Sequence, residues 1–268
     1  MVGVAHPEAK SYLPVDRCPT RMPAISIDSL QKVFGTVTAL DGLSLSVDSG
    51  ALYGLLGPNG AGKTTTMAVL TGQLRPDGGT ARVLGIDPVA APLEVRERVG
   101  ILPEKESPPS FLTPREYFSF VGSMRELPED VVDERAGEWA DRLAFAEKLD
   151  TLSTDLSRGQ QQKVMIAGAF LHEPEAVFID EPLANLDPLM QERVKGYLRE
   201  YREAGNTVLL STHNVDVAAD LCSEVGIVHR GRLVAERRPV DLAPDESLLD
   251  VFVDVVDARS APEAASGR

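Results

Sequence analysis

The run Leu52-Tyr53-Gly54-Leu55-Leu56-Gly57-Pro58-Asn59-Gly60-Ala61-Gly62-Lys63-Thr64 decides the fold. Residues 52–56 are apolar enough for a buried strand, residues 63–70 have the pattern of a helix, and G-x-x-x-x-G-K-T stands between them. Glycines let such a loop curl until successive backbone amides point at one anion, and the following helix adds the positive end of its dipole. Lys63 has the reach for β- and γ-phosphates, and the Thr64 hydroxyl suits Mg²⁺. The expected nucleotide contacts are Gly57, Pro58, Asn59, Gly60, Ala61, Gly62, Lys63, Thr64 and Thr65.

Outward from this loop, Ala176-Val177-Phe178-Ile179-Asp180-Glu181 reads as an apolar strand ending in two carboxylates. Asp180 at the tip is placed to hold a Mg²⁺ shell, and Glu181 to take a proton from an attacking water. The two motifs together imply a Mg²⁺-dependent nucleotide hydrolase or kinase, and they do not choose between the two.

Strand-like runs at 26–30, 43–47, 52–56, 176–180, 208–211 and 225–229 alternate with helical stretches, notably 63–70, 188–202 and 215–221. That alternation predicts an α/β fold with a mainly parallel central sheet. The stretch from about 113 to 174 lacks a convincing strand. It opens on Thr113-Pro114-Arg115-Glu116, a capping box with proline at the first helical position. It reads as an all-helical subdomain inserted between two core strands. The core domain is expected over 24–245. Residues 1–23, with four prolines, read as a flexible tail, and Met22 directly before the first strand as a natural start. Residues 246–268 read as a short amphipathic helix over 247–257 and a disordered Ala/Ser/Pro-rich end from 259.

Composition narrows the classes. The chain has 268 residues, 43% hydrophobic and 25% charged, enough for a sizeable core and unlike a disordered chain. Its apolar runs are too short to span a bilayer, and residues 1–10 lack a secretory signal pattern, so a soluble chain that stays where it is made is expected. Forty-one acidic against 27 basic residues leave a formal charge of -14, which disfavours nucleic acid as a partner. Two cysteines, Cys18 and Cys222, make no disulfide framework and no zinc spacing, and are expected as free thiols.

Further motifs carry a resemblance. Leu156-Ser157-Arg158-Gly159-Gln160-Gln161-Gln162-Lys163 opens a helix with a Ser157/Gln160 capping box. About twenty residues before the acidic strand, it resembles the LSGGQ signature of ABC-type ATPases. Phe34 stands where that family stacks an aromatic on adenine. Ala184-Asn185-Leu186-Asp187 resembles the D-loop, and Ser211-Thr212-His213 the switch-histidine segment. The likeness runs from about residue 25 to 236. The wording of 39–44 and 54–59 is similar to the ATP-binding subunits that serve exporter-type permeases.

The resemblance implies a P-loop NTPase core with a small antiparallel β part on its N-terminal side. It implies ATP and Mg²⁺ as cofactors, with Lys63, Glu181 and His213 catalytic. His213 would contact the γ-phosphate while holding Glu181 and the water. Ser157, Gly159 and Gln160 would bind a nucleotide held by a second chain, so that two chains, expected as a homodimer, sandwich two ATP molecules. Thr64, Asp180 and Glu104 would hold the metal. Separate transmembrane permease subunits would place the chain peripherally on the cytoplasmic face of the cell membrane, touched through the Pro-rich stretch 104–111.

The chain departs from the family pattern at three places: Glu104 stands where glutamine is usual, Arg158 where glycine is usual, and Leu183-Ala184-Asn185 makes an unusual D-loop. Two other readings compete. A soluble ABC-type ATPase of ribosomes or DNA generally carries two cassettes or a long heptad segment, and neither is present. A small-molecule phosphotransferase would leave the signature segment and His213 without a task. Cargo and transport direction are not legible.

Overall fold

The computed structural model of the chain describes residues 22–105, 107–243 and 245–260. Most of the expected N-terminal tail, Cys18 and the last eight residues lie outside the described residues. Two long antiparallel strands, β1 (Pro23–Phe34) and β2 (Val37–Asp48), precede β3 (Leu52–Leu56), the phosphate loop and helix α1 (Lys63–Leu70). Then follow β4 (Gly78–Val83), α2 (Pro92–Arg98) and β5 (Val99–Leu102). Three helices come next: α3 (Pro114–Ser123), α4 (Glu129–Arg142) and α5 (Arg158–Phe170). The chain finishes as β6 (Ala176–Asp180), α6 (Pro188–Glu203), β7 (Thr207–Thr212), α7 (Val215–Leu221), β8 (Glu224–His229), β9 (Arg232–Arg237) and α8 (Leu248–Ser260).

Two sheets form. The first has the order β2-β1-β4 and is antiparallel; the second has the order β5-β6-β7-β3-β8-β9. In the second sheet only the β8–β9 pairing is antiparallel. The mainly parallel core and the antiparallel N-terminal part are therefore as expected. β3 lies at the centre with all five residues buried, which is why its sequence is a nearly continuous apolar run rather than an alternation. Its neighbours β7 and β8 run parallel to it, so the ends of β3, β6 and β7 open on the same edge of the sheet. That edge is where α/β sheets gather their ligands.

No strand interrupts residues 103–175 among those described, and the helices there pack into the core rather than beside it. Phe118, Val132, Trp139 and Phe145 share one buried cluster with Leu56, Ile179 and Leu210 of the central strands. The Thr113 capping box forms as expected: the Glu116 amide donates to Thr113 Oγ1 at 3.2 Å, and the Thr113 amide to Glu116 Oε2 at 2.8 Å. At the C-terminal end the helix is longer than expected. Leu248, Val251 and Val255 of α8 bury against the same cluster, and the helix runs through Arg259 and Ser260, which the composition had assigned to disorder. Anchored by those apolar residues, it extends past the polar composition change. Cys222 is a buried free thiol against Gly54, and burial pushes its pKa up. Among the described residues no helix is long and apolar enough to cross a membrane.

The junction between helical part and core contains a titratable group. His172 follows α5, and its Nε2 donates to the Val99 carbonyl of β5 at 3.2 Å. Its Nδ1 is buried without a partner. Burial, with the Arg125 charge added, pushes its pKa down to about 4. The folded chain therefore keeps the ring neutral while the unfolded chain protonates it below pH 6.5. Stability is full above pH 6.5 and is lost as pH falls towards 4, by roughly 3 kcal/mol. Urea midpoints at pH 7 and pH 5 check this: the gap is expected to shrink in His172→Gln.

Candidate functional site

The loop after β3 does what its glycines allow. Gly62 sits at φ 107, and a Cβ there would lie 2.6 Å from the Ala39 carbonyl; a Cβ at Gly57 would lie 2.3 Å from the Val228 carbonyl. Both are closer than any side chain tolerates, so the loop can pack this tightly against the backbone of β2 and β8 only with glycine at these positions. Lys63 folds back at the start of α1, donating to the Gly57 carbonyl at 2.7 Å and the Pro58 carbonyl at 3.2 Å. It is buried, and burial pushes its pKa down, opposed by the nearby charges of Glu181, Asp180 and Glu104.

β6 delivers the two carboxylates on either side of its end. Asp180 is almost fully buried, and its Oδ2 accepts from Thr64 Oγ1 at 2.8 Å. The pairing crosses β7, which lies between β6 and β3. Glu181 then leaves the strand in the left-handed region at φ 50, uncommon for glutamate. Its amide donates to the Ser211 carbonyl, and its carboxylate turns towards the end of β7. There Oε2 accepts from Thr212 Oγ1 at 3.0 Å, while Oε1 accepts from the His213 amide at 2.8 Å and from His213 Nδ1 at 2.6 Å. Three donors thus fix a mostly buried carboxylate, while the histidine ring is 62% exposed.

Most of these groups line one open cleft of about 530 Å³; Thr212 and the expected contacts Gly57 and Pro58 lie behind its surface. Phe34, Val37 and Ala39 form one wall, residues 59–65 the floor, and Glu104, Lys105, Asp180, Glu181 and His213 the other wall. Phe34 is half exposed, so it is no core aromatic. Glu104, just past β5, is exposed and also borders a second depression of about 440 Å³. Three carboxylates face the cleft against Lys63 and the exposed Lys105. A triphosphate alone would add to that negative charge, whereas a triphosphate with a divalent cation would balance it. Among the described residues no three His, Cys, Asp or Glu side chains cluster closely enough to cage a metal alone. The donor set therefore suits Mg²⁺ that keeps phosphate and water oxygens, held by one or two side chains.

The structure does not bring every expected residue together. Ser157 and Gln160 close the expected capping box on α5, with Gln160 N to Ser157 Oγ at 3.3 Å and Ser157 N to Gln160 Oε1 at 2.9 Å. Ser157, Gly159 and Gln160 are not among the residues lining the 530 Å³ cleft. Arg158 is exposed and borders the second depression together with Asn185. A Cβ on Gly159 would come 2.9 Å from the Asn185 carbonyl, so the start of α5 rests on the segment after β6. Asn185 has φ 62, a conformation that asparagine tolerates better than most residues, which accounts for this departure from the usual loop. Asp187 caps α6 through the Met190 amide, with Pro188 next, as the sequence indicates. Sequence reasoning passed over Val37, Ala39 and Lys105 of the cleft wall and the role of Thr212, which holds Glu181 and also accepts from the Asn214 amide. For Thr212, its place before His213 was the available signal.

The fold and the cleft define a P-loop nucleotide-binding protein. Comparison with known proteins agrees and is narrower. The family described as ABC transporter matches residues 40–184. The daunorubicin/doxorubicin resistance ATP-binding protein DrrA of Streptomyces peucetius is 37% identical over 246 residues, covering 92% of this chain and 74% of that protein. The Nod factor export ATP-binding protein I of Ralstonia nicotianae is 34% identical over 229 residues, covering 85% and 71%. The solved structure of an ATP-binding subunit of an ABC transporter superposes with a TM-score of 0.80 at 28% identity, over 87% of this chain and 99% of that one. The chain belongs to the ABC transporter family.

Proposed function

We propose that this chain hydrolyses Mg²⁺-ATP and uses the energy to drive an exporter whose membrane-spanning subunits are separate chains. The observation that carries the reading is Glu181, held by Thr212 and His213 beside the Lys63 loop and the Thr64–Asp180 pair. In this reading residues 57–65 cradle the phosphates, with Lys63 on the β- and γ-phosphates and Phe34 under the base. Thr64 and Asp180 hold Mg²⁺, which neutralises phosphate charge, and Glu104 joins them from the β5 side. Glu181 takes the proton of the attacking water. His213 donates from Nδ1 to Glu181, and its exposed Nε2 edge meets the γ-phosphate.

Ser157, Gly159 and Gln160 serve a nucleotide bound by a second copy. Their capped, exposed helix start lies outside the chain's own cleft, which supports a head-to-tail homodimer with two shared sites. Hydrolysis removes the γ-phosphate between the copies and loosens them. Export is favoured by the names of the relatives. Docking would use the exposed stretch after β5, where Phe111 is 76% exposed, and would hold the chain on the cytoplasmic face of the membrane.

The shared site has a direct test. In a Glu181→Gln background, light scattering is expected to give a doubled mass in Mg²⁺-ATP and a monomer in Mg²⁺-ADP. Adding Ser157→Arg should abolish the ATP-dependent dimer while each chain still binds ATP through its own loop. A Ser157→Arg chain that dimerises normally would overturn the assignment. Glu104 has its own prediction. Replacing it with glutamine removes a charge beside the metal, so the Mg²⁺ and Mn²⁺ dependence of turnover should shift by about threefold to tenfold. Identical metal profiles would refute its metal role.

A further inference from the structure

The base-proximal wall of the cleft is built with an unexpected charge behind it. The β1–β2 pairing is irregular between Lys32 and Val33, which turns the end of the strand. Lys32 Nζ comes to rest over the Phe34 ring, 5.5 Å from its centroid. The Lys32 side chain is only 13% exposed, and its ammonium is held from behind by the turn between α1 and β4. It donates to the Arg75 carbonyl at 2.8 Å and to Asp77 Oδ1 at 2.9 Å. The other Asp77 oxygen accepts from the Val33 amide at 2.7 Å. The Val33 amide and the Lys32 ammonium together hold the Asp77 carboxyl below its ordinary pKa, so this clamp stays charged at neutral pH. The Phe34 ring is thus backed by a fixed cation, while half of its surface remains open and lines the cleft.

We propose that Lys32 is a positioning residue for the nucleotide base, fixing the Phe34 ring and polarising it for an electron-rich purine. The inference rests on the reading of Phe34 as the base platform. The physical reason is the ring quadrupole. Two stacked π-faces repel through their negative centres, and a cation on one side draws electron density towards itself. The cleft-facing side becomes less negative, which favours stacking by an electron-rich heterocycle. The Asp77 clamp adds a second effect, because an ammonium anchored at two acceptors holds the ring in one orientation before the nucleotide arrives.

Titration calorimetry on the full chain separates these ideas, using ATP and, as a ligand with no base, inorganic tripolyphosphate. Lys32→Met keeps the aliphatic stem and removes the charge. It is expected to weaken ATP by about two- to fivefold and leave tripolyphosphate unchanged. Lys32→Arg should restore most of the ATP affinity, and Lys32→Met should have no further effect in a Phe34→Ala background. Equal weakening of both ligands by Lys32→Met, or the same loss with and without Phe34, would overturn the proposal in favour of a purely structural lysine. A Phe34→Ala chain that binds ATP as the wild type does would instead remove the base platform itself. The single Phe34 variant therefore tells the two failures apart.

Discussion

Glu181→Gln is expected to lower the rate of ATP hydrolysis by about 10²- to 10⁴-fold while leaving ATP affinity within about twofold of wild type. The geometry allows the split. Glu181 accepts from Thr212 Oγ1, the His213 amide and His213 Nδ1, all of which lie at the end of β7 and outside the loop that cradles phosphates. A glutamine oxygen can still accept from the His213 amide, and its amide nitrogen can donate to Thr212 Oγ1. The strained backbone at φ 50 is untouched by the change. What disappears is basicity, so the chain binds and closes on ATP without activating the water. Single-turnover hydrolysis and equilibrium binding measured on the same preparation check both halves. A glutamine variant with near-normal turnover would show that another group is the base.

Lys63→Ala should do the opposite, weakening binding and chemistry together. Lys63 is the buried cation facing Glu104, Asp180 and Glu181, and it also satisfies the Gly57 and Pro58 carbonyls. Removing it leaves three carboxylates beside an incoming triphosphate with much less positive charge to offset them. ATP affinity is expected to fall by about tenfold or more, and turnover by about 10²-fold or more, in line with the loss of one buried charge-stabilising donor. Thermal unfolding gives an independent readout: the rise in Tm that Mg²⁺-ATP gives the wild type should vanish in the variant. An undiminished rise would mean that the backbone amides hold the nucleotide unaided.

How far the sequence alone reaches depends on the kind of element. β3, β6, α1 and α7 were legible to the residue because an apolar run or helical period ends there on a decisive motif. The missed elements share a physical reason. β4 opens on Gly78-Gly79 and buries only Ala81 and Val83, β5 has four residues, and β9 is a charged antiparallel edge strand. Each is held by pairing with a neighbour rather than by its own pattern. α2 is short and lies just before β5, so its seven residues carried too little period to read.

The site divides in the same way. Contacts made within a motif could be read from spacing, as the Ser157 and Thr113 caps were. The hold of His213 on Glu181 was legible only through the family resemblance, while the grip of Thr212 on Glu181 and the Lys32 clamp behind Phe34 join residues more than thirty positions apart or depend on a bulge. Folding was needed to bring them together. The Asn185 departure was visible as a departure, but its cause, a left-handed backbone under Gly159, is a property of the folded chain alone.

A transporter subunit must work on a membrane partner. A tagged form should be recovered from detergent-solubilised native membranes at low and at high salt, with every co-purifying chain identified by mass. The expected result is a stoichiometric partner with several membrane spans that survives high salt and stimulates ATP turnover when present. Recovery from the soluble fraction only, alone or with ribosomes or nucleic acid, would contradict the transporter reading.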